Sequence, residues 1–94
     1  MSSDVNGGIG EHIAASGTAK GGAKGIVYSA VYQDTGPGII HLRDGGAGGT
    51  IRASIRLGGA GSFPAAYPRG IAFGTNIYVD LTGSTAGQCS VSYE

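Results

Sequence analysis

The strongest constraint on this chain is a period of two. In the last quarter, Gly70 to Glu94, the residues Ile77, Val79 and Leu81 alternate with Tyr78, Asp80 and Thr82. After Gly83-Ser84-Thr85-Ala86-Gly87 the alternation resumes, with Cys89, Val91 and Tyr93 set against Ser90, Ser92 and Glu94. Successive side chains of a strand point to opposite faces, so each run reads as a half-buried strand. A short link containing two glycines makes the pair read as a long β-hairpin. Its apolar face needs a second sheet to cover it.

The same period recurs upstream. Gly25 to Asp34 sets Val27, Ser29 and Val31 on one face and Tyr28, Ala30 and Tyr32 on the other. Thr35-Gly36-Pro37-Gly38 is a turn, since proline presets φ and glycine admits positive φ. Ile39 to Asp44 places Ile40 and Leu42 opposite Ile39, His41 and Arg43, and Gly45 to Gly49 turns the chain again. From Gly49 to Gly58, Ile51, Ala53, Ile55 and Leu57 oppose Thr50, Arg52, Ser54 and Arg56. Gly58 to Gly70, with Phe63-Pro64 and Tyr67-Pro68, reads as one long irregular connection. Ile71 and Phe73 then open the terminal element, with Gly74-Thr75-Asn76 as a tight turn or bulge before Ile77. Strand candidates at this spacing, punctuated by glycine turns, imply an all-β chain: a small antiparallel β-sandwich, jelly-roll-like.

The N-terminal block differs. Seven of the first 25 residues are glycine, which breaks the helix that Val5, Ile9 and Ile13 would suggest by their spacing of four. Residues 1–24 are therefore expected as an extended arm ahead of a sandwich domain over 25–94. Val5, Ile9 and Ile13 read as apolar anchors that dock on a neighbouring subunit. The alternative is an arm folded back on its own domain.

Composition narrows the function. A chain of 94 residues with 20 glycines makes one small domain of thin core, and oligomerisation is a usual remedy. Six basic and six acidic side chains cancel, and no Lys/Arg cluster offers itself to phosphates, so no nucleic-acid interface is expected. The single cysteine, Cys89, leaves no intrachain disulfide and reads as a small buried apolar side chain. The N-terminal stretch has no apolar run, so neither signal peptide nor membrane span is expected, and synthesis in a cytoplasm follows.

The sequence carries no recognisable catalytic motif. Lys20 and Lys24 are each followed by glycine, which fails the phosphate-loop pattern. His12 and His41 are the two histidines, no G-x-S-x-G surrounds a serine, and no acidic cluster stands near either histidine. Asp34, Asp44 and Asp80 fall at strand ends or on a polar face and read as solvated. The expectation is a protein that is not an enzyme, with no catalytic, cofactor or metal residues. Arg52 and Arg56 stand about 13 Å apart on one strand, too far to grip one small anion, and read as a solvated face or a contact surface for a protein. Phe63 and Tyr67 either cap the open end of the sandwich or touch a partner.

The C-terminal block carries a resemblance. Pro68-Arg69-Gly70, Phe73, Asn76-Ile77-Tyr78-Val79, Leu81-Thr82-Gly83 and Val91-Ser92-Tyr93-Glu94 resemble small phage virion proteins, in which a Gly-rich arm precedes a compact β-sandwich. It spans about residues 24–94 and is a strand signature rather than a set of functional residues. It implies a capsid decoration (cement) protein, in favour a trimer, that binds the major capsid protein over lattice joints in the virion, after assembly in the host cytoplasm. A neck, tail or fibre-attachment component is the alternative implied. A small carbohydrate-binding module, stacking sugar on Tyr28, Tyr32 or Tyr78, is a third reading. Nothing in the resemblance calls for a cofactor, nucleic acid or membrane.

Overall fold

The structure, a computed structural model, describes residues 9–94. Eight strands form among them: β1 (Ile9–Ile13), β2 (Gly17–Ala19), β3 (Gly25–Asp34), β4 (Gly38–Asp44), β5 (Thr50–Leu57), β6 (Gly61–Phe73), β7 (Ile77–Asp80) and β8 (Gln88–Tyr93). They make two four-stranded antiparallel sheets, ordered β1-β8-β3-β6 and β2-β7-β4-β5. Sheet I holds β1, β8, β3 and β6, and sheet II holds β2, β7, β4 and β5.

One hairpin generates the arrangement. β4 pairs with β5, β3 with β6, β2 with β7 and β1 with β8, so the chain is a long antiparallel ribbon folded at Gly45–Gly49. Successive ribbon pairs alternate between the sheets, and β3–β8 and β4–β7 ladders join them side by side. Rolling a ribbon in this way is the jelly-roll topology. The sandwich expected from the alternation is thus present.

The C-terminal hairpin is not. β7 and β8 lie in different sheets, and the Gly83–Gly87 link crosses from one to the other. Alternation specifies which face of a strand is apolar, and is silent on which strand lies beside it. Both strands are central in their sheets, β7 between β2 and β4 and β8 between β1 and β3.

The core runs between the sheets, with Val27, Ala30, Tyr32, Ile40, Leu42, Phe73, Ile77, Val79, Cys89 and Val91 essentially inaccessible. Two bulges reassign faces that simple alternation places wrongly. In β3 the register slips between Val27 and Ser29, leaving Tyr28 as the extra residue. Val27 then points inward but so do Ala30 and Tyr32, and Val31 turns outward. In β5, Leu42 faces Ala53 while Arg43 faces Ile51, so Arg52 is the extra residue. Ile55 stays in the core at 4% exposure, whereas Ile51 joins the outer face at 45%.

The stretch Gly58–Gly70 is also corrected. It is mostly strand: β6 is the longest element, forming one edge of sheet I. Pro64 and Pro68 disguise it in the sequence, yet an edge strand has no neighbour on its free side to miss their N–H groups. Its ladder with β3 runs from Gly61 to Ala66 and resumes at Ile71, so Tyr67-Pro68-Arg69-Gly70 bow out opposite Tyr28. Gly70 has φ 75, and a side chain there would strike Ile26 and Tyr28.

From Ile9 onward, the stretch assigned to the arm supplies β1 and β2, the other edges of the two sheets. The sandwich therefore takes in residues before 25. Ile13, at 7% exposure, and Ala19, fully covered, close this side of the core. Glu11 stands opposite buried Val91, and its Oε1 accepts from the Lys20 N–H (2.9 Å) and the Tyr93 hydroxyl (2.8 Å).

Candidate partner-binding surface

The groups able to do chemistry are occupied first with holding loops. Asp34 ends β3, and its Oδ1 accepts from the N–H groups of Thr35 (2.7 Å), Ala86 (2.9 Å) and Gly36 (3.2 Å). Oδ2 accepts from the Tyr32 hydroxyl at 2.5 Å and the Thr85 N–H at 3.1 Å. One carboxylate thereby ties the β3–β4 turn to the β7–β8 link. Burial alone would raise its pKa, but the Tyr32 hydroxyl and the amides of Ala86, Thr85 and Gly36 outweigh that and hold it well below the usual carboxylate range. Tyr32 is pushed up to about 12 by burial and by Asp34. Gly38 lies against this cluster, where a Cβ would collide with the Tyr32 hydroxyl and the Ser84 backbone.

The opposite end uses a reciprocal pair. Asp44 accepts from the N–H groups of Gly74 (2.8 Å), Thr75 (2.8 Å) and Asn76 (3.3 Å), while Asn76 Oδ1 accepts from those of Gly46 (3.0 Å) and Gly45 (3.2 Å). The Thr75 and Gly74 amides hold the Asp44 carboxyl below its ordinary pKa. Asp80 accepts from the Thr82 hydroxyl (2.6 Å) and N–H (3.0 Å), and from Arg43 Nε at 2.9 Å. Thr82 first, and then Arg43, lower its pKa to about 2. These three aspartates are turn clamps rather than solvated charges. The signal was present for two of them: in Asp34-Thr35-Gly36 and Asp80-Leu81-Thr82 the Asx side chain caps its own following amides. Asp44 instead binds amides some thirty residues away that no local motif announces.

The histidines pair across strands on opposite outer faces. His41 Nδ1 lies 2.6 Å from Ser54 Oγ, and His12 Nδ1 lies 3.0 Å from Ser90 Oγ. Asp80 is the β7 register partner of His41, but its carboxylate is turned to Arg43 and Thr82. No set of three His, Cys, Asp or Glu side chains converges as a metal site among the described residues. Cys89 is fully buried, and burial pushes its thiol up to about 12. No helix among the described residues is long and apolar enough to cross a membrane.

The tyrosines do not assemble into a platform. Tyr32 is buried in the core, while Tyr28 and Tyr78 are half-buried in different sheets. An open cleft of ≈ 460 Å³ lies between the β1–β2 link and the β7–β8 link, lined by Ser16, Thr82, Ser84 and Gln88 among others. No aromatic or ionisable side chain lines it.

The contact residues expected from sequence divide between two edges. Val5 lies outside the described residues, and Ile9 pairs with Tyr93 through the backbone of β1. Ile13 does not project toward a neighbour, because the core takes it. The remaining four gather on the far side, where β5 and β6 are the edges of their sheets and touch one another. Arg52 and Arg56 are exposed on β5. Phe63, opposite Tyr32 in the ladder, is turned toward the seam between the sheets yet remains 49% exposed. Tyr67 is half-buried and packs against the core. Ile51, at 45% exposure, belongs to the same edge and was missed, since only the Arg52 bulge brings it outward.

Compared with family models, with curated proteins and with solved structures, the chain matches none of them.

Proposed function

We propose that this protein is a bacteriophage virion structural protein of the capsid-decoration type, which binds across joints of the major capsid lattice and strengthens the head. The observation that carries the reading is where the carboxylates go. Asp34, Asp44, Asp80 and Glu11 are all committed to closing their own chain, so what faces outward is contact surface. The sequence resemblance of the C-terminal block supports the same setting.

In this reading the copies associate as a trimer. The outer face of sheet I suits such an association: Ser29, Val31 and Gln33 of β3, Ser62, Pro64 and Ala66 of β6, and Gln88, Ser90 and Ser92 of β8 carry no charge. Depletion of charge is what distinguishes interface cores. Cementing works by mass action: area buried between copies and lattice is lost before the shell opens, so each copy contributes a modest share and many copies add.

The test is the solution mass followed by co-sedimentation with purified heads that lack this protein. A trimer that pellets with heads and raises their disruption temperature is the expected result. A protein that stays in the supernatant with heads but pellets with tails moves to the neck, tail or fibre, and a monomer that binds neither overturns the reading.

A further inference from the structure

We propose that the joined β5–β6 edge is a docking site for an acidic, partly apolar surface on a different protein, and not for a second copy of this chain. Although the chain is formally neutral, three of its four arginines lie on β5 and β6. Arg52, Arg56 and Arg69 are exposed on β5 and β6, and none makes an ion pair among the described residues, where Arg43–Asp80 is the one such pair. The described acids are turned to their own chain: Asp34 and Asp80 are 8% and 6% exposed, Asp44 and Glu11 accept from loop amides, and Glu94 accepts from the Tyr28 hydroxyl.

That placement selects the occupant. Two such edges brought together would set arginine against arginine, and the described surface of a second copy offers no free carboxylate row to neutralise them. Phe63 and Ile51, each about half exposed, lie on the same two edge strands as the arginines. Arginine around aromatic and aliphatic anchors is the composition of a protein-binding hot spot, whereas phosphate binding draws on denser basic rows without apolar centres. β6 also carries Pro64 and Pro68, which remove N–H groups that a partner's strand would need along that edge, so the contact is made by side chains rather than by an added strand.

Two measurements separate this inference from the decoration reading on which its biological setting rests. Wild type, Arg52→Glu/Arg56→Glu, Phe63→Ser and the opposite-edge control Ala15→Glu/Thr18→Glu are sedimented with heads at about 50 and about 300 mM salt. The charge reversal is expected to weaken binding about tenfold or more and to abolish its salt dependence, Phe63→Ser to weaken it severalfold, and the control to bind as wild type. Equal binding by the charge reversal and Phe63→Ser overturns the inference. Independently of heads, poly-L-glutamate and a short DNA duplex are titrated into isotope-labelled protein and followed by amide shifts. Shifts confined to β5 and β6 with poly-L-glutamate uphold the edge even if heads are not bound, in which case the decoration reading alone falls. Shifts spread over sheet I, or tighter binding to the duplex at the same salt, overturn the edge inference.

Discussion

The two long edges of the sandwich are finished in opposite ways. At the β1–β2 edge, Ile13 and Ala19 are buried, and Glu11 joins β1 to Tyr93 of β8 and to the Lys20 backbone. At the β5–β6 edge, Phe63 and Ile51 are half exposed and Arg52, Arg56 and Arg69 make no ion pair among the described residues. The contrast separates an edge that the fold completes by itself from one that it leaves open, the edge proposed above for docking.

Aspartate scanning breaks the comparison most sharply. Ile13→Asp and Ile55→Asp each place an unpaired charge in the core and are expected to cost about 3 kcal/mol or more, enough to unfold much of a marginal domain. Urea denaturation followed by circular dichroism reads this directly, and a folded Ile13→Asp protein would mean that β1 is not part of the core.

Acid acts next. Asp34, Asp44 and Asp80 have folded-state pKa values below their unfolded ones, so their stabilisation is present above the unfolded value of about 4 and is lost as pH falls toward the folded values. The melting temperature should be level with respect to these groups from pH 7 to about 5, then drop below about pH 4. Amide exchange at Gly36, Thr85, Ala86 and Gly74 to Asn76 should accelerate ahead of that in β8. A melting temperature unchanged to pH 2 would remove the clamp role from these aspartates. The smallest effect belongs to Ile51→Asp, which lies four residues from Ile55 on the same strand. It is expected to shift stability by no more than about 0.5 kcal/mol. A loss as large as that of Ile55→Asp would deny the bulge at Arg52.

These contrasts mark how far the sequence could be read. β3, β4, β5, β7 and β8 are legible because each alternates apolar and polar residues over several positions. β6 is hidden by its prolines, and β1 and β2 by glycines and by their shortness. Of the candidate contact residues, Arg52, Arg56, Phe63 and Tyr67 prove to share an edge although no spacing in the chain announces it. Ile51 and Ile13 exchange their expected places, one outward and one inward.

By itself the sequence determined that this chain is all-β and sandwiched, since strand faces with a period of two are stable only when their apolar sides cover one another. It also determined where most turns fall, through glycine, proline and aspartate chemistry at the strand ends. Partners, bulges and the placement of charge were decided by the tertiary structure. Pairing in a rolled ribbon joins residues as distant as Ile9 and Tyr93, and one extra residue in a ladder moves every side chain beyond it to the other face. A carboxylate becomes a clamp only once a distant loop brings its amides within reach, as Thr85 and Ala86 do for Asp34.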